Sequence, residues 1–168
     1  MAGVEKKRYV NGLVLGKFMP PHIGHEYLIE NALSSCEKLT ILVYSLPSHP
    51  IDGDTRASWM RELFPDARVL HVRDFIPIYA ESDPRYWRMW AAQVKQNHPE
   101  HIDAIFSSED YGYRLSEELG AEHVCVDKQR ATFRISASEI RNDPLGHIYL
   151  VSSVARPYFR NKPKAKLI

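Results

Sequence analysis

Short, nearly continuous apolar runs alternate along the chain with longer stretches in which apolar residues recur every three or four positions. Residues 12–15, 39–45, 68–72, 104–107 and 123–126 read as strands. Several of them lack the in–out alternation of a half-exposed sheet. That is the mark of strands covered on both faces, and hence of a parallel sheet. Between them, Ile29, Ala32, Leu33 and Cys36 repeat at helical spacing, as do Trp87, Trp90, Ala91 and Val94. Met60, Leu63 and Phe64 form a shorter stripe, and residues 111–119 form a helix that Gly120 closes. Strand and helix in repeated alternation predict an open α/β sheet with right-handed crossovers and helices on both faces. Two irregular stretches, 46–53 and 74–84, follow strands at their carboxyl ends, the edge of such sheets where ligands bind.

The first run with chemical content is Gly16-Lys17-Phe18-Met19-Pro20-Pro21-His22-Ile23-Gly24-His25. It lies between the first strand and the first helix. Gly16 allows a tight turn, and the two prolines stiffen the approach to the helix. A bare Gly24 lets a ligand come close to the backbone, and the N–H groups of the helix start form an anion site. Lys17 adds a fixed positive charge. Imidazole donors on His22 and His25 suit a phosphate on which charge builds during transfer. A metal pair is the weaker reading, because no third ligand stands at metal-like spacing.

The second run is Ile135-Ser136-Ala137-Ser138-Glu139-Ile140-Arg141. Ser136 and Glu139 have capping-box spacing, with Ile135 and Ile140 at the hydrophobic-staple positions, so a helix begins here. Ser138 and Arg141 share a face, and the Arg141 guanidinium forks readily onto a phosphate.

Composition narrows the field. The 168 residues suit one domain, with a core over about residues 10–160, a short polar N-terminus and a basic tail. A net charge of +1 gives no general field to attract nucleic acid or a membrane surface. Cys36 and Cys125 sit in apolar runs without C-x-x-C spacing and read as two buried thiols in a reducing cytosol. No segment approaches the ~18 apolar residues of a membrane span, and no signal peptide is visible. The cytoplasm is the expected location.

Together the two runs resemble the nucleotidylyltransferase superfamily, whose members carry His-x-Gly-His and Ile-Ser-x-Thr/Ser-x-x-Arg. The span from Gly12 to about Arg160 is similar to the adenylyltransferase domain of NadR-type enzymes. Supporting runs are His-Glu-Tyr-Leu-Ile at 25–29, Tyr-Trp-Arg-Met-Trp at 86–90 and Ser-Ser-Glu at 107–109. Val-Asp-Lys-Gln-Arg at 126–130 and Arg-Pro-Tyr-Phe at 156–159 add to them. The resemblance implies a Rossmann-like parallel sheet of five strands and the transfer of AMP from ATP, with Mg²⁺, to nicotinamide mononucleotide, giving NAD and pyrophosphate. It implies catalytic roles for Lys17, His22, His25 and Arg141. It implies ATP contacts from Gly16, Phe18, Gly24, Ser108, Ser136 and Ser138. Arg56, in the first turn of its helix, is expected near the acceptor phosphate, and Trp87 or Trp90 on the nicotinamide ring. No protein ligand is expected for the metal.

Ser138 stands where the superfamily often has Thr, which keeps the hydroxyl. The sequence contains neither the P-loop of the family's kinase domain nor a stretch for its helix-turn-helix domain, so kinase activity and DNA binding are not expected. Self-association is left open. Competing readings are an adenylyltransferase for nicotinate mononucleotide, flavin mononucleotide or phosphopantetheine, a cytidylyltransferase, and a nucleotide sensor without catalysis.

Overall fold

A computed structural model describes residues 7–73, 77–127 and 134–161. Five parallel strands stand in the order β3-β2-β1-β4-β5. They are β1 (Tyr9–Gly16), β2 (Cys36–Ser45), β3 (Arg68–Arg73), β4 (Ala104–Ser107) and β5 (Glu122–Cys125). The helices are α1 (Ile23–Ser35), α2 (Gly53–Leu63), α3 (Arg85–Asn97), α4 (Tyr111–Leu119), α5 (Ala137–Asn142) and α6 (Arg156–Arg160), with a 3₁₀ turn at Ser153–Ala155. The predicted α/β parallel sheet is present.

Successive side chains of each strand point to opposite faces, and both faces are apolar. Val14, Ile41, Val43 and Phe106 pack with Ile29 of α1 and Met60 of α2. Leu13, Leu42 and Ile105 pack on the other side with Trp90 of α3 and Leu115 of α4. A third cluster lies under the loops at the carboxyl edge, where Met19, Ile51 and Trp59 meet Ile135, Ile140, Val151 and Phe159. It brings the chain after β5 against the loop after β1. The Ile23 N–H donates to the Leu150 carbonyl at 3.0 Å, and the Ser152 N–H donates to the Pro21 carbonyl at 3.0 Å.

Several boundaries differ from expectation: β1 runs from Tyr9 to Gly16, β2 begins at Cys36, and β3 continues to Arg73. The apolar stripe of the first helix runs on to Cys36, but α1 ends at Ser35 and Cys36 opens β2. An apolar side chain serves either element, so its spacing alone does not mark the change. β5 covers Glu122–Cys125, one residue earlier than predicted. Cys36 is buried as expected, but Cys125, at the end of this edge strand, is exposed. Among the described residues, no helix is long and apolar enough to cross a membrane. The basic tail, residues 74–76 of the acidic stretch and residues 128–130 of the Val-Asp-Lys-Gln-Arg run lie outside the described residues.

Candidate active site

The strand order reverses between β1 and β4, the topological switch point at which open α/β sheets hold their ligands. A cleft of about 430 Å³ opens there, at the carboxyl ends of β1, β2 and β4. Gly16, Lys17, Phe18, His22, Gly24 and His25 line it, together with Ser136, Ser138 and Arg141. The fold thus gathers both sequence motifs around one cavity.

The first motif is held by its own rings. Phe18 takes a left-handed φ of 50°, rare for an aromatic residue, and turns its ring over Gly16. A Cβ on Gly16 would lie 3.0 Å from that ring. His22 is the N-cap of α1. Its Nδ1 accepts from the Gly24 N–H at 3.0 Å, and Nδ1 of His25 accepts from the His22 N–H at 3.3 Å. This is a capping box in which two imidazoles do the work usually done by Ser and Glu. A ring nitrogen that accepts carries no proton, so each neutral imidazole carries its proton on Nε2. The rings stack at 3.8 Å between centroids, and Phe18 sets its ring against His25 at 5.0 Å. His22 is only 6% exposed. Two oriented Nε2–H donors result.

Two expectations about this loop are corrected. The backbone N–H groups of the helix start are already committed. The His22 and Gly24 N–H groups go to the imidazoles, and that of Ile23 goes to Leu150. The donors of this motif are therefore side chains. Gly24 is bare for the same reason: a Cβ there would lie 2.9 Å from Cε1 of His22, so its space is filled by the ring.

Lys17 is exposed at the cleft, with Nζ 5.9 Å from the centroid of the Tyr44 ring. Its carbonyl accepts from Nη1 of Arg56 at 2.6 Å. Arg56 is wholly buried and its donors are turned inward. Nε reaches the Ile51 carbonyl at 2.8 Å, Nη1 also reaches the Tyr44 carbonyl at 3.2 Å, and Nη2 meets Nδ1 of His49 at 3.1 Å. This differs from the expected contact with an acceptor phosphate. Carbonyl oxygens take its hydrogen bonds, with the negative field of Asp52 acting beside them, and these bonds tie the loop after β1 to the loop after β2.

In the second motif Ser136 caps α5. Its hydroxyl accepts from the Glu139 N–H at 3.2 Å and donates to Oε2 of Glu139 at 2.8 Å, and its own N–H donates to the same oxygen at 2.8 Å. Arg141 crosses to the first motif, donating from Nη1 to the Met19 carbonyl at 2.6 Å and from Nη2 to Oγ of Ser138 at 3.3 Å. Burial pushes the Arg141 pKa down from its usual value.

The rest of the cleft is aromatic and acidic. Trp87 and Trp90 are 8% and 5% exposed and both border it. Trp87 lies parallel to Tyr111 at 6.0 Å, and Trp90 meets the edge of Tyr44 at 4.9 Å. Glu81, Ser108 and Glu109 complete this wall.

Sequence reading missed two supports. Oγ of Ser107 donates to the Glu109 carbonyl at 2.9 Å and lies 2.7 Å from Nε2 of His123. The single hydroxyl proton is used on Glu109, so His123 is the donor. A Cβ on Gly112 would collide with this pair, which is why α4 can begin so close to it. The second support is the segment at Leu150–Ser152 that braces the first loop. The spacing of Val151, Ala155 and Phe159 is its only signal in the sequence.

No family model matches the chain. The chain is similar to the trifunctional NAD biosynthesis/regulator protein NadR of Escherichia coli (strain K12), 28% identical over 165 residues, covering 88% of this chain and 40% of that protein. NadR of Salmonella typhimurium is similar at 28% identity, with the same coverage. The chain thus spans about 40% of the length of these relatives. Among solved structures it resembles NadR in complex with NAD and AMP-PNP, with a TM-score of 0.66 and 21% identity over 92% of this chain and 48% of that one. It also resembles a bifunctional NMN adenylyltransferase/ADP ribose pyrophosphatase from Francisella tularensis complexed with AMP and manganese. Here the TM-score is 0.62 at 18% identity, over 93% of this chain and 50% of that one. These structural likenesses bear on the Rossmann-like fold. The similarity to NadR in sequence agrees with the resemblance carried by the motifs.

Proposed function

We propose that this chain, homologous in sequence to NadR, is a nicotinamide-nucleotide adenylyltransferase. It transfers AMP from ATP to nicotinamide mononucleotide, giving NAD and pyrophosphate. The observation that carries the reading is the pair of imidazoles locked as Nε2–H donors beside Lys17 and Arg141 in one cleft. The similarity to NadR supports it.

The acceptor phosphate is already an anion, so the transfer needs no strong base. Its oxygen attacks the α-phosphorus of ATP in line, and the bond to the bridging oxygen of pyrophosphate breaks. Charge grows on the α-phosphate oxygens as this happens. His22 and His25 donate to those oxygens from positions fixed before the reaction, which avoids the cost of reorganising solvent. Lys17 and Arg141 balance the charge of the departing pyrophosphate, with Ser138 on the same face. Mg²⁺ enters with ATP as part of the substrate. It would be held by phosphate oxygens and water, with few ligands needed from the protein.

Pyrophosphate release tests the reading, with ATP and Mg²⁺ and four acceptors in parallel: nicotinamide mononucleotide, nicotinate mononucleotide, flavin mononucleotide and phosphopantetheine. Release with nicotinamide mononucleotide, with NAD forming in step, is the expected result. Release with flavin mononucleotide or phosphopantetheine alone would overturn the acceptor. ATP binding without release would indicate a sensor.

A further inference from the structure

The cleft is lined by two chemically different sets of groups, and Tyr44 stands where they meet. On one side are Lys17, Arg141 and the imidazoles. On the other are Tyr86, Trp87, Trp90 and Tyr111 with two carboxylates, Glu81 and Glu109. Lys17 sits 5.9 Å from the Tyr44 ring. Burial pushes the Tyr44 hydroxyl up to about 12, and the negative fields of Glu109 and Glu81 push in the same direction. Aromatic faces backed by carboxylates favour a cationic ring and disfavour an anionic substituent on it.

Glu109 is held at this wall by more than its own side chain. Its carbonyl is pinned by Ser107, and Ser107 in turn is pinned by His123. The turn after β4 therefore presents Ser108 and Glu109 to the cleft from a fixed backbone.

We propose that Glu109, with Glu81 as the weaker partner, selects the acceptor by charge, favouring the pyridinium ring that carries a neutral carboxamide over the one that carries a carboxylate. This rests on the adenylyltransferase reading above and names the side chains that would make its choice between two otherwise similar mononucleotides. Both rings carry the pyridinium charge. They differ by one negative charge at the ring substituent, and that charge is repelled by each carboxylate of the wall. Between like charges that share a partly solvated cleft, one such repulsion is worth on the order of tenfold in kcat/KM.

The test is the ratio of kcat/KM for nicotinamide over nicotinate mononucleotide in the unmodified protein, Glu109→Gln, Glu81→Gln and Glu109→Asp. A preference for the amide that falls about tenfold in Glu109→Gln, falls less in Glu81→Gln and persists in Glu109→Asp is expected. A ratio unchanged in Glu109→Gln, or a preference for nicotinate in the unmodified protein, would overturn the proposal. Should the unmodified protein release pyrophosphate with neither compound, the reaction itself is wrong. The ratio of dissociation constants, read from tryptophan fluorescence, then tests the charge preference separately. A ratio that is the same in both proteins would end it.

Discussion

Two helix starts face the cleft, those of α1 and α5, and both close with a reciprocal capping box, yet they leave different groups for a ligand. At α5 the cap is Ser136 with Glu139. The one hydroxyl proton goes to the Glu139 carboxylate, so Ser136 has nothing left to donate to a phosphate. At α1 the cap is His22 with His25. An imidazole has two nitrogens, so each ring caps with Nδ1 and keeps a proton on Nε2. The same local device thus uses the one hydroxyl proton at one helix and keeps a proton on each ring at the other. At α5 the groups left over lie further along the helix, on Ser138 and Arg141.

The largest test of this difference is at His25. His25→Ala removes an aimed donor and is expected to lower kcat by about 100-fold or more, the loss typical of one such group. Turnover within a few-fold of the unmodified protein would reduce His25 to a capping residue. His22→Asn sharpens the point, because Asn caps helices well but carries no donor at the reach of Nε2. Its melting temperature should stay near that of the unmodified protein while turnover falls steeply. A fall in both would mean that the cap and the chemistry cannot be separated there.

Arg141→Lys comes next. It keeps the charge but loses the fork that joins Met19 to Ser138. A rise of about tenfold in KM for ATP is expected, since Lys binds phosphate as a point charge without fixed geometry. An unchanged KM would show that charge alone is used. Ser136→Ala follows. It should cost about 1 kcal/mol of stability in urea unfolding, the usual worth of an N-cap, with kcat nearly unchanged. A large kinetic effect would restore Ser136 to the ligand-binding set.

The same contrast explains what could be read without a structure. The strand at Ala104–Ser107 was legible to the residue as a short apolar run, and the helix at Tyr111–Leu119 because Gly120 adopts the left-handed φ of 65° that ends a helix. The Ser136–Glu139 cap was legible because its residue types are the common ones. The His22–His25 cap was not, since histidine is a rare cap and its spacing reads as chemistry. The partners of Arg56 were not legible for a related reason. A cation in a first turn signals a negative partner, but the sequence does not say whether that partner is a phosphate or the carbonyls of Lys17 and Tyr44, which lie far away along the chain. The segment around Val151 carried too little pattern. It forms a single bridge, a 3₁₀ turn and a five-residue helix, and its place is set by the third apolar cluster.

The smallest expected effect concerns pH, and it too separates the two regions. His49 sits behind the first region, with Nδ1 accepting from the Leu46 N–H at 3.2 Å and facing Nη2 of Arg56 at 3.1 Å. Burial lowers its pKa below 6.5, and the positive fields of Arg56, Lys17 and Arg141 lower it further. His71, on β3, is lowered in the same direction, by burial and then by Arg73, with Asp54 opposing. An unfolded histidine titrates near 6.5, so just below that pH the unfolded chain takes up a proton that the folded chain refuses. The stabilisation is therefore complete above pH 6.5 and is lost as the pH falls through the folded pKa. Urea midpoints at pH 7.5, 6.5 and 5.5 should decline at the acid end, and the decline should be shallower in His49→Gln. A proton on Nδ1 of His49 would point at the guanidinium that tethers Lys17, so the acid loss should be accompanied by weaker ATP binding in the unmodified protein. Equal slopes in the two proteins would move the acid sensitivity to His71 and leave the loop behind the first region neutral to pH.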